Sequence, residues 1–253
     1  MGRLKVSIVM PAYNEEPRIT RAVSRALSAV AEAGLDCEVV VVNDGSSDGT
    51  GRVVEALSRT DGRVKLVGYP QNMGKGYAIR RGVEAVTGEY VVLIDSDGEI
   101  LPDEISRYVR GLGRSDICIG CKWHPQSKVE MPIPRRILSH TFHIMVRLLT
   151  NSKCHDTQSG LKAFRKDALE RIARLQLVKR YAFDVELLAV ASLLKLRIAE
   201  LPVEIKIKGN FGFHNIARMF VDLMGIVYRL RLKRWYQKNL NSQEPKYEPV
   251  LKL

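Results

Sequence analysis

Residues 90–97 read Y-V-V-L-I-D-S-D, and this stretch decides the fold. An apolar run without polar alternation predicts a strand covered on both faces, as the strands of a parallel sheet are. The acids begin where the apolar run ends. The pattern recurs upstream: C-E-V-V-V-V at 37–42 runs into N-D-G-S-S-D-G-T at 43–50, and a short apolar run at 6–10 runs into P-A-Y-N-E at 11–15. Residues 18–33, 48–59 and 75–86 read as helices, residues 64–68 as a further strand. A helix over 102–112, with proline at its first turn, precedes a fifth strand at 116–120. Strands alternating with helices imply crossover units on a mostly parallel, twisted sheet: an α/β fold.

Beyond residue 120 the pattern changes. Residues 122–134 hold three prolines and no clear period, which predicts a loop. Residues 135–150 place Ile137, Leu138, Phe142, Met145, Val146 and Leu149 along one helical stripe. Helix and strand return over 160–205, with a helix at 183–194 and a strand at 198–203. One long helix over 213–238 is expected to carry Ile216, Phe220, Leu223, Val227 and Leu230 on one face, and residues 241–253 read as a frayed tail.

The chain has 253 residues, room for one large domain or two small ones. With 45% hydrophobic and 27% charged residues, disorder, collagen and a disulfide scaffold are excluded. Four cysteines in this length suggest a reducing compartment; Cys118 and Cys121 have C-x-x-C spacing but no second pair to complete a zinc site, and read as buried thiols. No secretory signal opens the sequence, and no window is apolar enough to span a bilayer. The net charge of +12 points to an anionic partner.

The chemistry is expected at the acidic turns. In a parallel sheet, ligands bind beyond the carboxyl ends of the strands, where all three turns fall. P-A-Y-N-E is not the G-x-G-x-x-G of a dinucleotide-binding turn, which argues against a dehydrogenase. Asp95 and Asp97, two apart, can both place oxygens on one divalent cation, with Glu99 near enough to assist; Mg²⁺ and Mn²⁺ prefer such hard ligands and keep positions for substrate phosphates. The five histidines show no metal spacing.

With these segments in view, the sequence resembles the inverting GT-A glycosyltransferases, and within them the polyprenyl-phosphate sugar synthases, the glucosyl branch more than the mannosyl. The resemblance rests on S-I-V-M-P-A-Y-N-E-E (7–16), V-V-N-D-G-S-S-D-G-T (41–50), N-M-G-K-G-Y-A-I-R-R-G (72–82), D-S-D (95–97), D-T-Q-S-G-L-K-A-F (156–164) and A-F-D-V-E-L-L (182–188). It implies a GT-A catalytic domain over 1–210, with Pro11, Ala12, Tyr13, Glu15, Asn43, Asp44, Lys75, Asp95 and Ser96 at the nucleotide. It implies catalytic roles for Asp95, Asp97 and Asp184, and Mg²⁺ or Mn²⁺ on Asp95, Asp97 and Glu99. For the acceptor phosphate it implies Lys122, Arg135 and Ser139, with Lys206 and Lys208 from a loop that matches loosely. Lys122 stands where the family normally has arginine, so the charge is kept and bidentate contact is lost.

The positive charge is concentrated. Residues 206–240 hold eight Lys/Arg and one acid, residues 120–155 six and one. Basic edges beside apolar helical faces suit helices lying at a lipid surface; aromatic residues are few there, which argues against nucleic acid. The sequence thus implies transfer of a hexose from a nucleotide sugar to a membrane polyprenyl or dolichyl phosphate. UDP-glucose with the glucosyl branch and GDP-mannose with the mannosyl branch are both open, as is a non-catalytic nucleotide-sugar module. The expected location is the cytoplasmic face of a membrane, peripherally, and a homo-oligomer is left open.

Overall fold

The computed structural model describes residues 5–97, 104–180, 182–207 and 213–240. Glu99, Lys208, the start of the helix expected at 102 and the tail at 241–253 lie outside the described residues. The first half forms β1 (Lys5–Ala12), α1 (Glu16–Glu32), β2 (Asp36–Asp44), α2 (Thr50–Thr60), β3 (Val64–Tyr69), α3 (Lys75–Val83), β4 (Tyr90–Leu93), α4 (Ile105–Gly111) and β5 (Ile117–Cys121). Then follow β6 (Lys128–Glu130), α5 (Ile133–Thr150), β7 (Lys162–Arg165), α6 (Lys166–Ala173), α7 (Phe183–Leu193), β8 (Ile198–Pro202), β9 (Glu204–Lys206), α8 (Phe213–Val227) and α9 (Trp235–Asn239).

The main sheet has the order β3-β2-β1-β4-β7-β5-β8. β1 pairs in parallel with both β2 and β4, so the order reverses between β1 and β4, which is where open α/β sheets bind ligands. The uninterrupted apolar runs behave as expected of strands buried on both faces. Val39 and Val41 of β2 pack with Ile19, Val23 and Leu27 of α1, while Val40 and Val42 pack with Ile79 and Val83 of α3. Gly82 of α3 lies so close to the sheet that a Cβ there would stand 2.4 Å from Val9 Cγ1. Cys118 and Cys121 are buried free thiols, as are Cys37 and Cys154. Among the described residues no helix is long and apolar enough to cross a membrane.

The sheet is mostly parallel, as expected, with β7 running antiparallel between β4 and β5, inserted from a distant part of the chain. Two expectations are corrected. The segment 122–134 is not all loop, because β6 pairs in parallel with β9 to form a second, two-stranded sheet. Nor is 213–238 one helix. After α8 comes a π-helical turn (Tyr228–Leu232), and Arg234 takes left-handed backbone (φ 50°), folding α9 back. The cause is a buried carboxylate: Glu186 of α7 is wholly buried and accepts the hydroxyl proton of Tyr236, itself wholly buried, whose oxygen accepts Arg229 Nε at 3.0 Å. Glu186 also accepts the N–H groups of Leu177 and Val178, at 2.9 and 2.7 Å; a straight helix would keep those and lose the Tyr236 hydroxyl from a buried carboxyl.

The apolar stripes also shift. Phe142 and Val146 of α5 face the core, but Ile137, expected beside them, is 63% exposed and shares an outward row with Ile133, Ile144 and Leu148. On α8, Met219, Leu223 and Ile226 are buried while Phe220 and Val221 face outward, as do Tyr228 and Leu232 beyond it.

Candidate active site

The carboxyl ends of β1, β2 and β4 carry the three acidic turns, and they are laced together. Ser96 turns inward, donating its hydroxyl to the Pro11 carbonyl at 2.9 Å across the β1–β4 crevice. Asn14 (φ 55°) accepts Ser47 N–H on Oδ1 at 2.9 Å, while Glu15 N–H reaches Thr50 Oγ1 at 2.9 Å and Glu16 Oε2 takes Gly49 N–H at 2.7 Å. The turns therefore form one fixed rim around a cavity of about 540 Å³.

On the acidic side the cavity is lined by Pro11, Ala12, Tyr13, Glu15, Asp44, Lys75, Asp95, Ser96, Asp97 and Asp184, all expected at the nucleotide or in catalysis. Asp44 is buried; its carboxylate accepts the Tyr69 hydroxyl and Met73 N–H, each at 2.8 Å, and Gly74 N–H at 2.9 Å. Asn43 was expected here too, but it holds the turn from beneath, accepting Ser46 N–H at 3.1 Å, and is not among the residues lining the cavity. Lys75 sits in the first turn of α3 and pairs with Asp95, Nζ lying 2.5 Å from Oδ1 and 2.7 Å from Oδ2. Two carboxylates and the acid-to-lysine pair hold Lys75 charged well above its ordinary range, even though burial opposes it. Asp184, near the start of α7, is 2.7 Å from the buried Lys162 Nζ. Burial pushes the Asp184 carboxyl upward, against the pull of Lys162 and Lys75.

The other side is basic and apolar. Arg135 and Ser139 of α5, one turn apart, both line the cavity, with Leu138 and Phe142 beside them. Lys122 lines it as well, but its Nζ is 2.7 Å from Asp156 Oδ2, and only 6% of its side chain and 4% of its partner's are exposed. Burial alone would raise the Asp156 carboxyl; the Lys122 ammonium and N–H outweigh it and hold the carboxyl below its ordinary value. Lys206 is on the wrong face. It pairs with Glu130 at 2.5 Å, while its neighbours Ile205 and Ile207 line the cavity, as alternation along a strand requires. Two cations that sequence reasoning missed complete this side: Arg180, just before A-F-D-V-E-L-L, and Arg218 of α8.

The donor set at the rim suits a hard divalent cation. Ser96 turns inward, whereas Asp95 and Asp97 on either side of it both line the cavity and offer it hard carboxylate oxygens; among the described residues no group of three or more His, Cys, Asp or Glu is placed to hold a metal ion. Asp95 already holds a cationic group there, the Lys75 ammonium.

Comparison with known proteins agrees with this geometry. Residues 7–173 match the family described as Glycosyl transferase family 2. A dolichyl-phosphate beta-glucosyltransferase from Homo sapiens is 32% identical over 250 residues, covering 91% of this chain and 77% of that one. One from Trichomonas vaginalis is 32% identical over 246 residues, covering 91% and 75%. Glucosyl-3-phosphoglycerate synthase from Mycobacterium tuberculosis, solved with uridine diphosphate, superposes with a TM-score of 0.65 at 21% identity, covering 90% of this chain and 79% of that one. The same enzyme has also been solved with Mn²⁺, uridine diphosphate and its product. At that identity the likeness is one of fold, and the fold is GT-A.

Proposed function

The chain belongs to glycosyl transferase family 2, and from that premise we propose that it transfers glucose from UDP-glucose to the phosphate of a membrane dolichyl or other polyprenyl phosphate, with inversion at the anomeric carbon. The observation that carries this is one cavity in which an acidic rim, suited to a nucleotide diphosphate and its cation, adjoins a basic and apolar wall suited to a phosphate on a hydrocarbon chain.

The chemistry follows from the two sides. A phosphate monoester has its second pKa at ~6 and is mostly a dianion at neutral pH, so the acceptor attacks without a strong general base. One acceptor oxygen forms a bond to the anomeric carbon as the bond from that carbon to the diphosphate oxygen breaks on the opposite face. Arg135, Ser139, Arg180 and Arg218 hold the remaining acceptor oxygens, and Lys75 lies on the diphosphate side. A Mg²⁺ or Mn²⁺ ion on Asp95 and Asp97, when bound, neutralises the charge that develops on the departing diphosphate. Asp184, anchored by Lys162 on the acidic side of the cavity, orients the sugar. Catalysis is then chiefly positioning and charge stabilisation.

The outward rows on α5 (Ile133, Ile137, Ile144, Leu148) and around α8 (Phe220, Val221, Tyr228, Leu232) flank the basic side. We assign them to the lipid surface, the protein lying peripherally on the cytoplasmic face, where the acceptor's hydrocarbon chain remains in the bilayer. The test is incubation with a panel of radiolabelled nucleotide sugars and dolichyl phosphate, followed by organic extraction. Label from UDP-glucose should enter the organic phase and label from GDP-mannose should not. Label confined to water with every donor would overturn the proposal.

A further inference from the structure

Lys75 stands in a place that asks for explanation. Its ammonium spans both oxygens of Asp95, at 2.5 and 2.7 Å, so a metal ion binding there would share them with a positive charge while the pair holds. Asp97 and Asp184 add their fields to that of Asp95 at the same nitrogen, and the Phe183 ring lies on another side, 5.6 Å from it. The backbone gives Lys75 a fixed pivot. Gly74 has φ +95°, a Cβ there would stand 2.7 Å from the Lys179 carbonyl, and Tyr77 N–H donates to that same carbonyl at 3.1 Å. The lysine stem can therefore swing while its root in α3 stays in place.

A divalent cation arriving alone at Asp95 would meet the Lys75 ammonium at the same oxygens, and the two like charges repel. A diphosphate arriving with the cation brings negative charge that offsets the cation's and offers the ammonium new oxygen partners.

We propose that Lys75 is the resident counter-ion of Asp95, which the cation displaces onto the diphosphate, so that cation loading is coupled to nucleotide binding. This rests on Asp95 and Asp97 being the cation's ligands. The role differs from that of a lysine which merely lies near phosphates. A simple phosphate ligand would leave cation affinity untouched in the absence of nucleotide, whereas a competing counter-ion weakens it.

The test measures Mn²⁺ binding directly, by the electron paramagnetic resonance signal of the free ion, with no acceptor present and no turnover. Wild type, Lys75→Met, Lys75→Gln and Asp95→Asn are compared with and without UDP, each variant's fold being checked by circular dichroism. Without UDP, both Lys75 variants should bind Mn²⁺ about ten- to a hundredfold more tightly than wild type, the range expected for removing a charge-assisted competitor. UDP should tighten Mn²⁺ binding strongly in wild type and much less in the Lys75 variants. Equal Mn²⁺ affinities of wild type and both Lys75 variants without UDP would overturn the counter-ion role. If instead Asp95→Asn binds Mn²⁺ as wild type does in the presence of UDP, the cation assignment itself fails, and the counter-ion role with it.

Discussion

Lys122 lines the cavity yet is locked to Asp156, and separating its two roles requires breaking the pair in two ways. In Lys122→Met the Asp156 carboxylate keeps the N–H groups of residue 122, at 2.9 Å, and of Gln158, at 3.0 Å, but loses its ammonium. Both side chains are more than nine-tenths buried, so the remaining charge is left almost without water. Removing one partner of a buried pair costs about 3–5 kcal/mol. In a chain of this size each kcal/mol moves Tm by roughly 2–4 °C. Thermal unfolding followed by circular dichroism should therefore show a fall of about 6–20 °C. In the double variant Lys122→Met/Asp156→Asn the amide oxygen still accepts both N–H groups and no charge is stranded, so most of the lost stability should return. With Arg135, Ser139, Arg180 and Arg218 holding the acceptor phosphate, the KM of the stabilised double variant for polyprenyl phosphate should stay within about threefold of wild type, less than one charge-assisted hydrogen bond is worth. A double variant that is stable but has its KM raised tenfold or more would refute this, and would show that Lys122 touches the acceptor itself.

Arg135→Ala should raise the KM for polyprenyl phosphate or lower kcat by about ten- to a hundredfold while UDP-glucose binding is unchanged; Arg136, exposed and outside the cavity, should tolerate the same change, and equal losses at both would move the acceptor site. Glu38 lies at the opposite end of the sheet from the cavity, where the Lys65 ammonium and the hydroxyls of Ser7 and Thr87 overcome its burial and lower its carboxyl to about 2. Because the folded value lies below the unfolded one, this stabilisation is complete above the unfolded value of ~4.3 and is lost as pH falls toward 2; urea titrations from pH 6 to 3 should show a loss in wild type that Glu38→Gln largely lacks. Replacing Ile137 and Leu148 by glutamate should reduce flotation with anionic liposomes without altering UDP binding, since both are exposed and outside the nucleotide side; unaltered flotation would remove α5 from the lipid contact.

What could be read in the sequence, and what could not, has a physical pattern. β2 and β4 were legible because strands buried on both faces leave unbroken apolar runs, and the acids after them had to lie on one rim once the sheet was parallel. β7 was not, because K-A-F-R is short and carries a lysine whose burial is made tolerable by Asp184, 22 residues on, together with the Ser159 carbonyl. The break at Arg234 depends on Glu186 meeting Tyr236, 50 residues away, and no local pattern in 213–238 encodes it. Arg218 joins the site only because α8 brings it to the cavity, and Arg180 because the segment before α7 passes close to Gly74 at the start of α3. Lys206 is a different case, for its displacement to the far face was already encoded: Ile205 and Ile207 flank it, and a strand that buries both must turn the residue between them away.

The most direct measurement follows the acceptor's phosphorus by NMR during turnover with UDP-glucose, with proton spectra of the extracted product. The dolichyl phosphate monoester resonance should decline as a phosphodiester resonance grows in equal amount with UDP, and the new anomeric proton should show the large vicinal coupling of a β-glucoside. Release of UDP with free glucose, the monoester signal unchanged, would show that water and not the acceptor phosphate is the nucleophile. An α-linked diester would contradict attack from the face opposite the departing diphosphate.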